Sequence, residues 1–195
     1  MADSPPTSCD SRCETRVIGW LSSMAPKLRV LLLAFAIALP LDLLTKILVD
    51  RYIGYADRIT VIEGFFYLTH VRNPGAAFGL FADSDVLLRQ FFFISVSFLA
   101  IFIILSFLRQ LAPGDRLSSL ALGLILSGAV GNLFDRIARG EVVDFLHFRL
   151  WGGYSWPDFN LADTFIVVGV GILLLELLAS EGEDRARAEP DEPPV

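Results

Sequence analysis

Two aspartates, Asp144 and Asp163, stand at the two ends of a loop rich in Trp and Gly, and each borders a strongly apolar segment. A carboxylate at membrane depth is costly, so an acid in such a place is a candidate functional group. Two carboxyls that share one site repel each other when both are ionised. One of them then keeps its proton while the other stays ionised and can activate water. From spacing alone, a second interpretation stands equal to this one: each acid sits at a helix end and faces headgroups and water.

The other polar residues offer few competing chemistries. The only histidines are His70 and His147, and the sequence contains neither a His-Glu-x-x-His zinc motif nor a Gly-x-Ser-x-Gly elbow. Cys9 and Cys13 have no companion at metal-ligand spacing. Carboxylates therefore remain the candidates for catalysis, and we expect no metal site and no cofactor.

A polar stripe accompanies these acids on an apolar segment near residues 117–134. With 3.6 residues per helical turn, four residues of this segment fall within about 100° of one another. They are Gly128, Asn132, Asp135 and Arg136. An arginine at a helix end can simply reach towards headgroups. Asn132 lies deeper, beside two glycines, and we predict a buried hydrogen-bonding role for it.

Two further pairs have a structural explanation and a functional one. Asp42 and Lys46 stand at i and i+4 in the first apolar segment, where they either neutralise each other or face a substrate. Asn160 and Asp163 are spaced as a helix N-cap and an acid in the first turn, which the helix dipole would keep ionised. That arrangement is compatible with catalysis by Asp163.

Composition assigns the chain to membrane proteins. Hydrophobic residues make up 54% of the 195 residues, charged residues only 19%, and the mean hydropathy is +0.58, whereas a soluble domain carries about 25% charged residues. The net charge of −6 argues against a nucleic-acid partner, which would require a basic face.

Four apolar segments are long enough to cross a hydrocarbon core of about 30 Å. They cover about residues 28–49, 86–108, 117–134 and 160–178. The sequence thus predicts an all-α membrane bundle over 28–178, with a disordered extension at 1–27 and a disordered tail at 179–195. Four spans put both termini on one side, but the 16 Lys and Arg residues divide evenly between the two sides and do not say which.

The loop between the first two spans is predicted to be folded. Residues Ile59–Ile62 and Phe65–Val71 read as β-strands around a turn at Glu63-Gly64. Asn73-Pro-Gly75 then predicts a type II turn with positive φ at Gly75. We expect a small β-sheet between helices 1 and 2, lying on the membrane surface.

Five blocks in chain order carry a resemblance to a known family. They read Asp42-Leu-Leu-Thr-Lys46, Asn73-Pro-Gly-Ala-Ala-Phe-Gly79, Gly128-Ala-Val-Gly-Asn132-Leu-Phe-Asp-Arg136, Val142-Val-Asp144-Phe and Phe159-Asn-Leu-Ala-Asp163. Together they resemble the successive motifs of bacterial lipoprotein signal peptidase, the type II signal peptidase. The resemblance covers about residues 28–178.

This resemblance implies an aspartic endopeptidase of the bacterial inner membrane. Such an enzyme removes the signal peptide of a diacylglyceryl-modified prolipoprotein by cutting before the lipidated cysteine. It needs no cofactor, and its expected partners are that substrate and membrane lipid, with the protein a monomer. Both termini would face the cytoplasm and the active site would lie near the outer face.

The same match implies roles for individual residues. Asp144 and Asp163 would be the catalytic pair. Substrate-binding or supporting roles would fall to Asp42, Lys46, Asn73, Gly128, Asn132, Arg136 and Asn160.

Two other functions remain as alternatives. A proton-coupled transporter would use Asp42, Asp144 and Asp163 to relay protons, but the four spans show no repeat symmetry and the acids lie near the interface rather than the midplane. A non-enzymatic assembly factor would use the loops for binding. Proteolysis of a lipid-modified peptide by the purified protein distinguishes all three.

Overall fold

The fold is four long helices with a small antiparallel sheet at one end. A computed structural model describes residues 11–75 and 85–188, with side chains for 26–75 and 85–181. The elements in chain order are α1 (Ser11–Tyr52), β1 (Arg58–Ile62), β2 (Phe66–Asn73), α2 (Val86–Gln110), α3 (Arg116–Arg139), β3 (Val142–Phe148) and α4 (Leu161–Ala188). A short 3-10 turn, Trp151–Gly153, lies between β3 and α4.

The predicted fold class is confirmed. Four helical stretches are long and apolar enough to cross a membrane: Pro26–Tyr52, Val86–Gln110, Arg116–Arg139 and Leu161–Glu181. Each agrees with a predicted span to within a few residues. Many large apolar side chains on α2 and α4 are exposed, among them Phe91, Phe102 and Leu175, as expected for surfaces that face lipid.

The two outer segments differ from the disordered extension and tail predicted at 1–27 and 179–195. The structure begins α1 at Ser11 and continues α4 to Ala188. Adding residues to an existing helix costs far less than starting a new one, so long spans readily extend beyond their apolar part. Residues 1–10 and 189–195 lie outside the described residues.

Helix α3 is the centre of the bundle, because it packs against α1, α2 and α4. A cluster of buried side chains joins these helices and includes Leu31, Ile104 and Leu122. Two glycines of α3 allow close approach. A Cβ at Gly123 would collide with the backbone of Leu31, and one at Gly128 with the carbonyl oxygen of Ala162. Small residues of this kind let helices pack closely in a membrane.

The sheet has three strands in the order β1-β2-β3, all antiparallel. The predicted turn between β1 and β2 is present, with Gly64 at φ +76°. The third strand, β3, comes from the connection between α3 and α4, which was predicted to be a loop rich in Trp and Gly. Its partner β2 is some seventy residues away in the chain, so no local pattern shows the pairing.

The type II turn predicted at Asn73-Pro-Gly75 is wrong. Gly75 does not adopt a positive φ. Its N–H is instead bonded to the Oδ1 atom of Asn73 at 3.1 Å, so the Asn side chain closes the turn in place of the backbone. Residues 76–84, which include the rest of this motif, lie outside the described residues.

Candidate active site

The structure brings Asp144 and Asp163 into one site, with Asn160 between them. Asp144 is on β3 and Asp163 is in the first turn of α4. The side-chain amide of Asn160 donates from Nδ2 to Oδ1 of Asp144 at 2.7 Å. Its Oδ1 atom accepts the backbone N–H of Asp163 at 3.0 Å. A single amide therefore contacts both residues of the predicted pair.

Asn160 also begins helix α4 in the manner predicted from the sequence. Its side chain caps the N–H of Asp163, and the Asp163 carboxylate in turn accepts the backbone N–H of Asn160 at 3.3 Å. This reciprocal exchange satisfies two N–H groups at the start of the helix. The cap also fixes where the Asp163 carboxylate lies, because that side chain is one half of it.

Asp144 is held in an apolar, amide-lined position. Asp144 is only 2% exposed, and Nδ2 of Asn73 donates to its Oδ2 atom at 3.0 Å. Burial raises the pKa of Asp144 to about 7, and the nearby charge of Asp163 adds to the increase, while the amides of Asn73 and Asn160 oppose it. Asp144 is thus able to hold a proton near neutral pH.

Asp163 is supported from α3 by Asn132. The amide of Asn132 donates from Nδ2 to Oδ1 of Asp163 at 2.8 Å. Its own Oδ1 atom accepts from Nζ of Lys46 at 2.9 Å. The lysine therefore fixes which end of the amide faces Asp163, and the predicted buried hydrogen-bonding position of Asn132 agrees with these contacts.

Lys46 lies at the centre of a fully buried charge cluster. Its Nζ atom is 2.9 Å from Oδ2 of Asp42 and 3.0 Å from Oδ2 of Asp135, and all three side chains are 0% exposed. Oδ1 of Asp42 accepts the N–H of Ala162 at 2.9 Å. The i,i+4 pairing considered for Asp42 and Lys46 is present, and its acid also holds the first turn of α4.

Asp135 belongs to the predicted polar stripe but is not among the predicted site residues. Besides Lys46, it binds Nη1 of Arg139 at 2.6 Å. The usable signal was an acid one helical turn after Asn132 on an apolar helix, since a charge in that position needs a partner. Helical spacing gives Arg139, which stands four residues later on the same helix, but Lys46 is on another helix and could not be identified from the sequence.

Arg136 and Gly128 reach the site in different ways. Nη1 of Arg136 donates to the carbonyl oxygen of Asn132 at 3.2 Å, and its guanidinium lies 5.3 Å from the centre of the Phe93 ring. The charge of Arg136 acts on both Asp144 and Asp163. Gly128 contributes space, since a Cβ there would displace Ala162, the residue before Asp163.

An apolar groove of about 360 Å³ opens beside Asp163. Its walls are Trp156, Phe159, Asp163, Thr164, Val167 and Val168. The valines follow one another on the α4 face that begins at Asp163, so an extended apolar chain lying there would end at a carboxylate. Of these residues, only Asp163 is among the predicted site residues.

The described residues contain no group of three or more His, Cys, Asp or Glu side chains arranged to hold a metal ion. What the site does offer is a carboxyl able to keep its proton, a second carboxyl at a helix N-terminus, and oriented amides around both. This combination suits acid–base chemistry on a bound water.

The sequence is similar to a known family of proteins. The family model for signal peptidase (SPase) II matches residues 34–179. The lipoprotein signal peptidase of Geobacter metallireducens is 43% identical over 158 residues, which is 81% of this chain and 96% of that protein. That of Syntrophus aciditrophicus is 41% identical over 82% of this chain and 99% of its own length.

A solved structure of a bacterial membrane enzyme has the same fold. It superimposes with a TM-score of 0.70 at 28% identity, covering 83% of this chain and 93% of the other. A fold shared with a membrane enzyme and a family match that includes both aspartates lead to the same assignment. The chain belongs to the signal peptidase II family.

Proposed function

We propose that this protein is an aspartic endopeptidase that removes the signal peptide from diacylglyceryl-modified prolipoproteins by cutting before the lipidated cysteine. Membership of the signal peptidase II family supports the substrate class. The observation that carries the aspartic mechanism is the placement of Asn160, whose one side chain contacts both Asp144 and Asp163.

The two carboxyls have different environments and therefore different roles. Asp144 is the protonated partner, because burial raises its pKa to about 7. Asp163 is the base, because it lies at the N-terminus of α4 and its carboxylate is oriented by the amide of Asn132. Like-charge repulsion keeps only one of them ionised at a time.

The reaction follows from these roles. Asp163 takes a proton from a water held between the pair, and that water attacks the scissile carbonyl carbon. Asp144 donates a hydrogen bond to the carbonyl oxygen and stabilises its developing negative charge. Collapse of the tetrahedral intermediate breaks the C–N bond, and the leaving nitrogen takes a proton from the pair. Neither a metal nor a protein nucleophile enters these steps.

The groove beside Asp163 would receive the apolar part of the substrate. The Val167 and Val168 wall suits a signal segment or an acyl chain, and both are apolar. Trp151 and Tyr154 are exposed in the connection that precedes α4, a place where aromatic side chains suit the membrane interface. We place this end of the bundle at the outer face, with both termini in the cytoplasm and the protein a monomer.

Cleavage by purified protein tests this function. We expect a synthetic peptide with a diacylglyceryl cysteine to be cut before that cysteine, and the unmodified peptide to be cut far more slowly. A strong chelator should leave the rate unchanged. Mass spectrometry of the products identifies the cut bond. A folded preparation that leaves the lipidated peptide intact would favour the transporter or the assembly factor.

The pH dependence of the rate is a separate prediction. The mechanism requires a protonated Asp144, whose pKa is about 7, so kcat/KM should fall as the pH rises through 7 and the proton is lost. Well above that pH the fall should approach about tenfold per unit. Steady-state rates from pH 5 to 9 in detergent, with the folded fraction checked at each pH, measure this. A rate that stays constant to pH 9 contradicts the assignment of the proton to Asp144.

A further inference from the structure

A β-bulge in β2 decides which side chains of that strand face Asp144. Leu68 pairs with Leu146 and Val71 pairs with Asp144, so Thr69 and His70 together face the single residue between those partners. Such an extra residue shifts the alternation of side chains by one position.

The shift places Asn73 on the catalytic face. After the bulge, Asn73 is opposite Val142 and is a diagonal neighbour of Asp144 on the same side of the sheet. Without the extra residue, Asp144 would be opposite His70, and Asn73 would point to the other face. The 3.0 Å contact between Asn73 and Asp144 therefore depends on the bulge.

His70 is the residue whose bonds hold the bulge. Its backbone N–H donates to the Asp57 carbonyl at 3.2 Å, and its carbonyl accepts the N–H of Ala56 at 3.0 Å. Its ring Nδ1 is 2.8 Å from the Ile53 carbonyl oxygen. All three contacts are to the segment that joins α1 to β1, so one residue of the bulge is bonded to this segment through its backbone and its ring.

Asp50, near the end of α1, binds this part of β2 on the face of the sheet opposite Asn73. Its Oδ1 atom accepts from Nη2 of Arg72 at 2.7 Å and lies 3.0 Å from Nε2 of His70. Its Oδ2 atom is 3.3 Å from Nη2 of Arg139 on α3. Nε of Arg72 also donates to Nε2 of His70 at 3.3 Å. A neutral ring can therefore accept from Arg72 at Nε2, and a protonated ring can donate from Nε2 to Asp50.

We propose that Asp50 is a positioning residue of the enzyme: through His70 and Arg72 it holds the bulge in β2 and so keeps the amide of Asn73 against Asp144. This inference rests on the proposed aspartic mechanism. Asp50 acts from the opposite face of β2 to Asn73, where its side chain contacts His70, Arg72 and Arg139.

The direction in which the pKa of Asp144 changes distinguishes a positioning role of Asp50 from a direct effect of its charge. The charged groups that act on Asp144 are Asp163 on α4, Arg136 on α3 and Lys46 on α1, while β2 contributes the neutral amide of Asn73. That amide favours the ionised form of Asp144 and lowers its pKa, so its withdrawal should raise this pKa. Removing a negative charge at position 50 would by itself lower it.

Asp50→Ala is therefore expected to move the basic limb of the kcat/KM profile to higher pH. The shift should be about one pH unit, the size expected for the loss of one hydrogen bond to a charged group. Asn73→Ala should give the same shift and serves as the reference. Asp50→Glu, which keeps the carboxylate, should return the limb most of the way, and kcat should change more than KM.

Asp158→Ala is the matched control. Asp158 is 23% exposed, against 21% for Asp50, and it also binds β2, through the Thr69 hydroxyl at 2.6 Å. Loss of Asp158 should leave the limb within a few tenths of a pH unit. If Asp50→Ala does not fold, Arg72→Lys decides the question. It keeps the charge but loses the fork that reaches both Asp50 and His70, and should also move the limb upward.

Failure of the Asp50 role and failure of the proposed function give different results. A limb that stays in place or moves to lower pH in the folded variant, or one that moves as far in Asp158→Ala, overturns the role of Asp50. The same holds if Asn73→Ala leaves the limb where it is. Failure of the proposed function would show differently, as turnover that survives Asp144→Asn.

Discussion

Asp144→Asn and Asp163→Asn should each abolish cleavage of a lipidated peptide while the protein stays folded in detergent. An amide has the shape of a carboxyl but can neither accept a proton from water nor share one with its neighbour. General acid–base catalysis contributes on the order of 10²–10⁴-fold to a rate, and each variant removes one of its two partners. Single-turnover rates with enzyme in excess measure the loss, and thermal unfolding in detergent reports the fold.

Asp158→Asn is the control for this pair. It makes the same change in a carboxylate that lies two residues before Asn160 in the sequence, is 23% exposed, and is bound to Thr69 and His147. We expect it to keep its rate to within a few-fold. Near-normal turnover by Asp144→Asn or Asp163→Asn would contradict the aspartic mechanism.

Lys46→Met should cause the largest loss of stability. The substitution leaves Asp42 and Asp135 buried without the cation that now lies 2.9 and 3.0 Å from them. Breaking a buried ion pair from one side costs about 3–5 kcal/mol, because the remaining charge is uncompensated. We expect a much lower melting temperature in detergent and less protein in the membrane. Arg51→Met is the control, since Arg51 is exposed on the same helix.

The second acid changes what a compensating substitution can achieve. If Asp42 and Lys46 formed an isolated pair, making both neutral would restore stability. Because Asp135 also faces Lys46, Lys46→Met with Asp42→Asn should recover only part of the loss, and a further Asp135→Asn substitution should recover more. Full recovery by the first double variant would show that Asp135 does not need Lys46.

The sequence predicts those parts of the site that lie within one helix or one motif. Helical spacing places Asp42 beside Lys46, and Asn160 before Asp163 gives the capping arrangement. The length and hydropathy of the four spans follow from the thickness of the membrane. Each of these depends on residues a few positions apart, where the periodicity of a helix limits the geometry.

Contacts between distant segments could not be predicted in the same way. A hydrophobic pattern shows that β3 can be a strand, but it does not say that β2 is its neighbour or that an extra residue breaks the register. Asp135 meets Lys46 from another helix, and Asp50 meets partners on β2 and α3. Helical periodicity identifies a face of α3, and only the packing of the bundle shows that Lys46 meets it.

The reciprocal cap of Asn160 and Asp163 makes the catalytic pair depend on local folding. The bonds that start α4 are the same bonds that position Asp163, and the Asn160 amide that completes them also holds Asp144. Fraying of this one turn would therefore dismantle the pair while the rest of the bundle stays intact. Hydrogen-exchange protection of the Asp163 amide would then report the fraction of molecules competent for cleavage, a fraction that can fall well before the protein unfolds.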